Sequence, residues 1–225
     1  MVKPFFVRAL LFDMDGTLVD STPVVEKVWS RWAVRHGFKP SEVTDFAHGR
    51  PTADVVRNFL PNVDAVAEAA ALLAEEELDP TPINSIPGAI EAVRLANQYA
   101  KWAVVTSASR TLAFLRLKLG GFPEPPLLIS ADDISRGKPD PEGFRKAAHL
   151  LDVPPEECLV LEDTPAGLEA GGAAGARIIG LSTTFPASVL PADVVLPDLT
   201  YLTLEPGPAN GLYVSARTLD AAIVE

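Results

Sequence analysis

Phe6-Val7-Arg8-Ala9-Leu10-Leu11-Phe12-Asp13-Met14-Asp15-Gly16-Thr17, near the start of the chain, carries an apolar run straight into two carboxylates and a glycine. Residues 6–12 read as a buried strand and 13–17 as the turn at its carboxyl end. Four more short runs rich in Val, Leu and Ile, at 102–106, 127–130, 158–161 and 177–181, have the character of strands covered on both faces. Helical patterns lie between them. One, at 89–99, follows Pro87-Gly88, and a second, at 109–119, is stopped by Gly120-Gly121. Two more occupy 141–151 and a small-residue stretch at 165–175. This alternation predicts an α/β fold, a Rossmann-like and mostly parallel sheet with helices on both faces.

The segment after the first strand breaks the rhythm. Val24, Val28 and Trp32 recur at intervals of four, as on one face of a helix. Residues 40–60 hold one or two further helices, and 63–78 form an Ala/Glu-rich one stopped by Asp79-Pro80. No strand is expected between 22 and 86. The expectation is an all-helical cap of residues 21–86 inserted into a catalytic core of 1–20 and 87–225. Trp29 and Trp32, at helical spacing, read as cap core. Near the C-terminus, 202–205 and 212–215 flank Pro206-Gly207-Pro208-Ala209-Asn210-Gly211 and predict a hairpin.

Nineteen basic against thirty acidic residues give a formal net charge of −11 over 225 residues. That argues against a nucleic acid or an anionic membrane as partner, since both call for a basic surface. No apolar stretch approaches the roughly 20 residues needed to span a bilayer. The N-terminus lacks a signal-peptide cleavage pattern, so a cytoplasmic location and a monomer or small homo-oligomer are expected. Cys158, the only cysteine, excludes an internal disulfide and reads as a buried, inert thiol in a strand.

In open α/β sheets ligands bind beyond the carboxyl ends of the strands, so polar residues at those ends matter most. Asp13 and Asp15 can divide the work of a nucleophile and a proton carrier; a solvated turn leading into a helix would carry the same letters. Thr106-Ser107-Ala108-Ser109, before a helix, offers hydroxyls and free N–H groups to an anion, although such residues are also ordinary caps. Lys138, ahead of another helix, can neutralise a phosphate as a point charge, or can be a surface lysine. Glu162 and Asp163 end the fourth strand. Carboxylates gathered with Asp13 at one sheet end repel unless protonated or bridged by a hard cation, for which Mg²⁺ is the natural candidate. A local metal and a few placed cations would also reconcile a phosphate ligand with the acidic chain.

Asp13-x-Asp15-Gly16-Thr17, Thr106-Ser107, Lys138 and Glu162-Asp163, in this order, resemble the four motifs of the haloacid dehalogenase superfamily. The resemblance covers essentially the whole chain, the helical insert included. Within the superfamily, residues 11–21, His48-Gly49-Arg50 and residues 162–167 are most similar to sugar-phosphate and glycerol-phosphate phosphatases. The resemblance implies Asp13 as a nucleophile that becomes an aspartyl-phosphate, and Asp15 as the acid for the leaving alcohol and then the base for water. It implies Thr106 or Ser107, the backbone N–H of Ala108, and Lys138 as holders of the phosphoryl oxygens. Mg²⁺ would be bound by Asp13, the backbone carbonyl of Asp15, and Asp163, with Glu162 close by. His48 and Arg50 would reach a small phosphorylated metabolite from the cap, unless they form only a solvated loop between cap helices.

The function expected is a Mg²⁺-dependent phosphatase for small sugar, sugar-alcohol or glycerol phosphates. A β-phosphoglucomutase-type mutase shares the cap and all four motifs. It characteristically has a His where Val25 stands and a β-branched apolar residue where Thr17 stands, and both departures weigh against it. A non-catalytic, Asp-phosphorylated receiver-like switch would have no use for a cap.

Overall fold

The computed structural model describes residues 2–47, 50, 52–79, 81–208 and 210–217. Two strands, β1 (Val2–Val7) and β2 (Ala9–Phe12), precede the two-residue β3 (Val19–Asp20). Four helices follow: α1 (Thr22–Arg35), α2 (Pro40–Ala47), α3 (Thr52–Phe59) and α4 (Ala65–Leu78). After β4 (Asn84–Ser85) the chain alternates through α5 (Ala89–Tyr99), β5 (Lys101–Val105), α6 (Arg110–Leu119), β6 (Leu128–Ile129) and α7 (Glu142–Leu150). It continues through β7 (Cys158–Glu162), α8 (Pro165–Ala174), β8 (Arg177–Leu181) and β9 (Val195–Leu196), and ends in β10 (Leu202–Pro206) and β11 (Leu212–Ala216). Two compact units result: Met1–Asp20 with Asn84–Glu225, and Ser21–Ile83.

In the first unit the strand order is β6-β5-β2-β7-β8-β9, and every pairing in this sheet is parallel. The α/β expectation is therefore borne out. Its central strands are apolar on both faces because helices cover both. Leu11, Ala103, Val105 and Val160 share a core with Phe144, Ala147 and Ala148 of α7 and Ala170 and Ala174 of α8. The alternate residues Leu10, Phe12, Trp102, Val104, Leu159 and Leu161 are buried as well. Phe12 meets Trp102 edge-on, with ring centroids 6.2 Å apart. Each such aliphatic or aromatic side chain contributes about 1.5–3 kcal/mol through burial. Cys158 is buried here, and desolvation pushes its thiol up to about 12, so it stays protonated.

Three features depart from the sequence expectation. The run read as a single strand over 6–12 is broken at Arg8, whose guanidinium turns to Glu157 at 2.9 Å. Residues before the break leave the central sheet and pair antiparallel with β11, making a three-stranded sheet in the order β1-β11-β10. Pro4 sits where the β1–β11 register shifts, as a residue without an N–H must in an edge strand. The hairpin of β10 and β11 forms as expected. Between 22 and 86, where no strand was expected, β4 pairs antiparallel with β3, Val19 opposite Ser85 and Asp20 opposite Asn84. A two-residue ladder has no periodicity to read. For the same reason β9 escaped notice.

The second unit is a cluster of α1–α4. Trp32, fully buried, sits among Trp29, Phe38 and Phe59, with ring centroids 5.3, 6.1 and 6.3 Å away, and its indole N–H donates to Glu68 at 2.8 Å. The helix pattern thus predicted its place: Val24, Val28 and Trp32 all point inward. Asp64 caps α4 by accepting from the N–H groups of Val66 and Ala67. After the helix, Asp79 accepts from Lys27 at 2.8 Å and pairs with Arg31 at 2.5 Å, which ties the end of α4 to α1.

Trp32→Ala should destabilise this helical unit by about 3–5 kcal/mol. A lowered denaturation midpoint for the unit, followed by tryptophan fluorescence and amide hydrogen exchange, checks the expectation.

Candidate active site

β2 lies between β5 and β7, in register with both: Phe12 is opposite Val104 on one side and Leu161 on the other. The next residues therefore emerge side by side at the carboxyl end of the sheet. The Asp13 N–H donates to the Leu161 carbonyl at 3.0 Å, which sets Asp13 beside Glu162 and Asp163. Ligand oxygens of Asp13, Glu162 and Asp163 all lie within 4.8 Å of one another, and the three residues are only 6, 1 and 1 % exposed. Lys138 reaches into this group, donating to Asp13 Oδ1 and, at 2.6 Å, to Glu162 Oε1.

The electrostatics follow from burial. Desolvation, aided by the negative charges of Glu162 and Asp15, pushes Asp13 up to about 7 despite the opposing pull of Lys138. Asp163 is held well above the usual carboxylate range, first by burial and then by Glu162 and Asp13. Burial works against the charge of Lys138, yet Asp13 and Glu162 hold its pKa above that of an ordinary lysine. Three hard oxygen donors that share one compensating ammonium suit a divalent cation, which would relieve the remaining repulsion.

Neighbouring groups fix each donor. Glu162 Oε2 accepts from the Thr164 N–H at 2.7 Å and the Thr164 hydroxyl at 2.9 Å. The same hydroxyl caps α8 by accepting from the Gly167 N–H at 3.1 Å. A Cβ at Gly167 would lie 1.7 Å from Glu162 Oε1, so the helix start can approach Glu162 this closely only as glycine. Thr17, fully buried, donates to Asp163 Oδ1 at 3.3 Å, and the Thr184 hydroxyl bonds the same carboxylate. Gly16 has φ +82°, and a Cβ there would lie 2.0 Å from Asp163 Oδ2 and 2.5 Å from Thr184 Oγ1.

The other predicted residues have different surroundings. Thr106 is buried beyond β5, and its hydroxyl accepts from the Ala108 N–H at 3.1 Å; Ser107 is exposed. Their loop is tied to the next one, since Ala131 N–H donates to the Ala108 carbonyl at 2.9 Å and Arg110 pairs with Asp133 at 2.7 Å. Glu142 at the start of α7 accepts from the N–H groups of Ser135 and Arg136, which steadies the loop that delivers Lys138. Arg50 belongs to the helical unit, exposed, with its guanidinium 4.3 Å from the Phe46 ring centroid. His48 lies outside the described residues. Asp15 does not join the carboxylate cluster through its side chain. Its Oδ1 stands 2.8 Å from Nη1 of Arg116, a buried residue of α6.

Arg116 and Thr184 were missed in the sequence. For Arg116 a signal existed: it falls on the buried face of α6 with Leu112, Ala113 and Leu117, where a charge is out of pattern. Thr184 sits in a loop after β8, with no periodicity to mark it.

A parallel sheet whose central strands end in clustered carboxylates, with a lysine reaching into them, is a framework suited to metal-assisted hydrolysis. The model of the haloacid dehalogenase-like hydrolases matches residues 7–175, and the chain belongs to that family. It is 40% identical over 209 residues to hexitol phosphatase A of Escherichia coli (strain K12), covering 91% of this chain and 96% of that one. Identity to 2-deoxyglucose-6-phosphate phosphatase 1 of Saccharomyces cerevisiae is 34% over 238 residues, covering 95% of this chain and 96% of that one. Among solved structures, a family IA hydrolase of the same superfamily from Entamoeba histolytica superposes with a TM-score of 0.78 at 24% identity, covering 87% of this chain and 95% of that one.

Gly16→Ala should weaken divalent-cation affinity by about 10–100-fold, the cost typical of disturbing groups that orient metal ligands; Mn²⁺ titration followed by electron paramagnetic resonance measures it. Raised carboxylate pKa values mean that the folded, metal-free chain binds more protons than the unfolded one above pH 3.8, so the contribution of Asp13 to stability is lost as pH rises to about 7. Relative to Asp13→Asn, the metal-free chain should therefore lose thermal stability across that window. The stabilising shift from added divalent cation should grow over the same interval in melts with and without chelator.

Proposed function

We propose that this chain is a Mg²⁺-dependent phosphatase that hydrolyses small phosphate monoesters, with sugar, sugar-alcohol and glycerol phosphates as the substrate class. The observation that carries the reading is the buried set of Asp13, Glu162 and Asp163 at the ends of adjacent strands, with Lys138 donating into it. Hexitol phosphatase A and 2-deoxyglucose-6-phosphate phosphatase 1, similar over nearly the whole chain, support the substrate class.

Asp13, the Asp15 carbonyl and Asp163 would hold Mg²⁺, with Glu162 tied to Lys138 and Thr164 beside them. When bound, the cation supplies positive charge against the phosphate oxygens and the carboxylates. An Asp13 carboxylate oxygen attacks phosphorus, the bond from phosphorus to the leaving oxygen breaks, and that oxygen takes a proton from Asp15. In the second half a water gives its proton back to Asp15 and attacks the same phosphorus, releasing inorganic phosphate and free Asp13. Lys138, the Ala108 N–H and the Thr106 or Ser107 hydroxyl hold the non-reacting oxygens as charge redistributes. Thr17 donates its hydroxyl to Asp163, a task that the apolar residue characteristic of the mutases could not perform. Arg50, exposed in the helical unit, would offer its guanidinium to a sugar hydroxyl.

A panel of phosphorylated metabolites, β-glucose 1-phosphate among them, tests this. Inorganic phosphate should be released only with Mg²⁺, and excess chelator should abolish the release reversibly. Asp13→Asn should leave no measurable turnover. Conversion of β-glucose 1-phosphate to glucose 6-phosphate in place of phosphate release would overturn the reading, as would full activity in chelator.

A further inference from the structure

Arg116 is an expensive residue for its position. It lies on α6 between Ala113 and Leu117 on the helix's buried face, with its side chain 7 % exposed. Removing a guanidinium from water costs several kcal/mol unless a partner compensates it. The Asp15 carboxylate, 2.8 Å away and 30 % exposed, is such a partner. The contact is a charge pair rather than an aligned hydrogen bond, since Asp15 Oδ1, although buried, accepts no well-directed donor among the described residues. The pairing therefore restrains where the carboxylate points without engaging Oδ1 in a directed hydrogen bond.

We propose that Arg116 is a positioning residue that holds Asp15 on the side of the site from which the leaving group departs. It keeps Asp15 out of the neighbouring carboxylate cluster, where Asp13, Glu162 and Asp163 already share one lysine. Without the guanidinium, a carboxylate drawn toward Lys138, which already serves Asp13 and Glu162, would no longer meet the leaving oxygen. This inference rests on the phosphatase reading and on Asp15 as the group that protonates the alcohol.

The test uses the leaving group. An alkyl alcohol needs a proton as it departs and p-nitrophenolate does not, so the ratio of kcat/KM for a sugar-alcohol phosphate to that for p-nitrophenyl phosphate reports how well Asp15 meets the leaving oxygen. In the full-length, Mg²⁺-loaded protein, Arg116→Met should lower this ratio on the order of 10–100-fold, the scale of a misplaced acid. Its melting temperature should fall, because Asp15 loses the charge that compensates it, so the ratio is read at a temperature where the variant is folded. Arg116→Lys, which keeps the charge but loses the fork, should recover part of the ratio. Asp15→Asn should lower the ratio by itself, and adding Arg116→Met to it should lower it no further. An unchanged ratio in Arg116→Met, or additive losses in the double variant, would overturn the inference while leaving the phosphatase reading intact. An unchanged ratio in Asp15→Asn would overturn the role given to Asp15, and the inference with it.

Discussion

Three carboxylates and one ammonium share a space at the ends of β2 and β7 that water scarcely reaches, and their charges do not balance. Each buried ion costs several kcal/mol even after the protein relaxes around it. Lys138 offsets part of that cost by bonding two of the acids at once, and Asp13 yields further by holding its proton toward neutral pH. Much of the local structure is explained by this imbalance. Thr164, Thr17 and Thr184 direct donors at carboxylate oxygens, and Gly16 and Gly167 leave those oxygens the room that any side chain would take.

The two acids of the first motif, only two residues apart, occupy different surroundings. Asp13 faces the cluster and its lysine, whereas Asp15 faces a buried arginine on another helix. Separate environments for neighbouring carboxylates are the usual means by which one fold obtains a nucleophile and a proton carrier from the same residue type. The separation is produced by the turn after β2, where Gly16 N–H bonds the Val19 carbonyl and the Leu18 and Val19 N–H groups bond Met14.

Much of this was legible in the sequence, for physical reasons that differ between elements. The buried strands read at 102–106 and 158–161 announce themselves by apolar runs, and α5 begins and ends where its pattern does. Asp13, Glu162 and Asp163 could be picked out as acids gathered where apolar strands end, and Lys138 as a cation just ahead of a helix. What escaped was of two kinds. Elements of two residues, such as β3, β4 and β9, are made by tertiary hydrogen bonds and leave no periodicity. The strand change at Arg8 and the Arg116–Asp15 pair depend on partners distant in the chain. Arg116 did leave a trace, a charge on an apolar helix face, that a stricter reading of α6 could have followed.

The central position of β2 also governs how the molecule comes to exist. Its partners are strands whose sequences lie far downstream: 125 residues separate Asp13 from Lys138, and 146 separate Thr17 from Asp163. Contacts of such long range must close large loops before they return any stabilisation, which slows folding. On a ribosome, the nascent chain would display Asp13 early but would lack its lysine and its fellow carboxylates until β7 had emerged. The carboxylate cluster is therefore assembled late, by the same strand pairing that completes the middle of the sheet, and an incomplete chain carries Asp13 without the lysine and the acids that surround it.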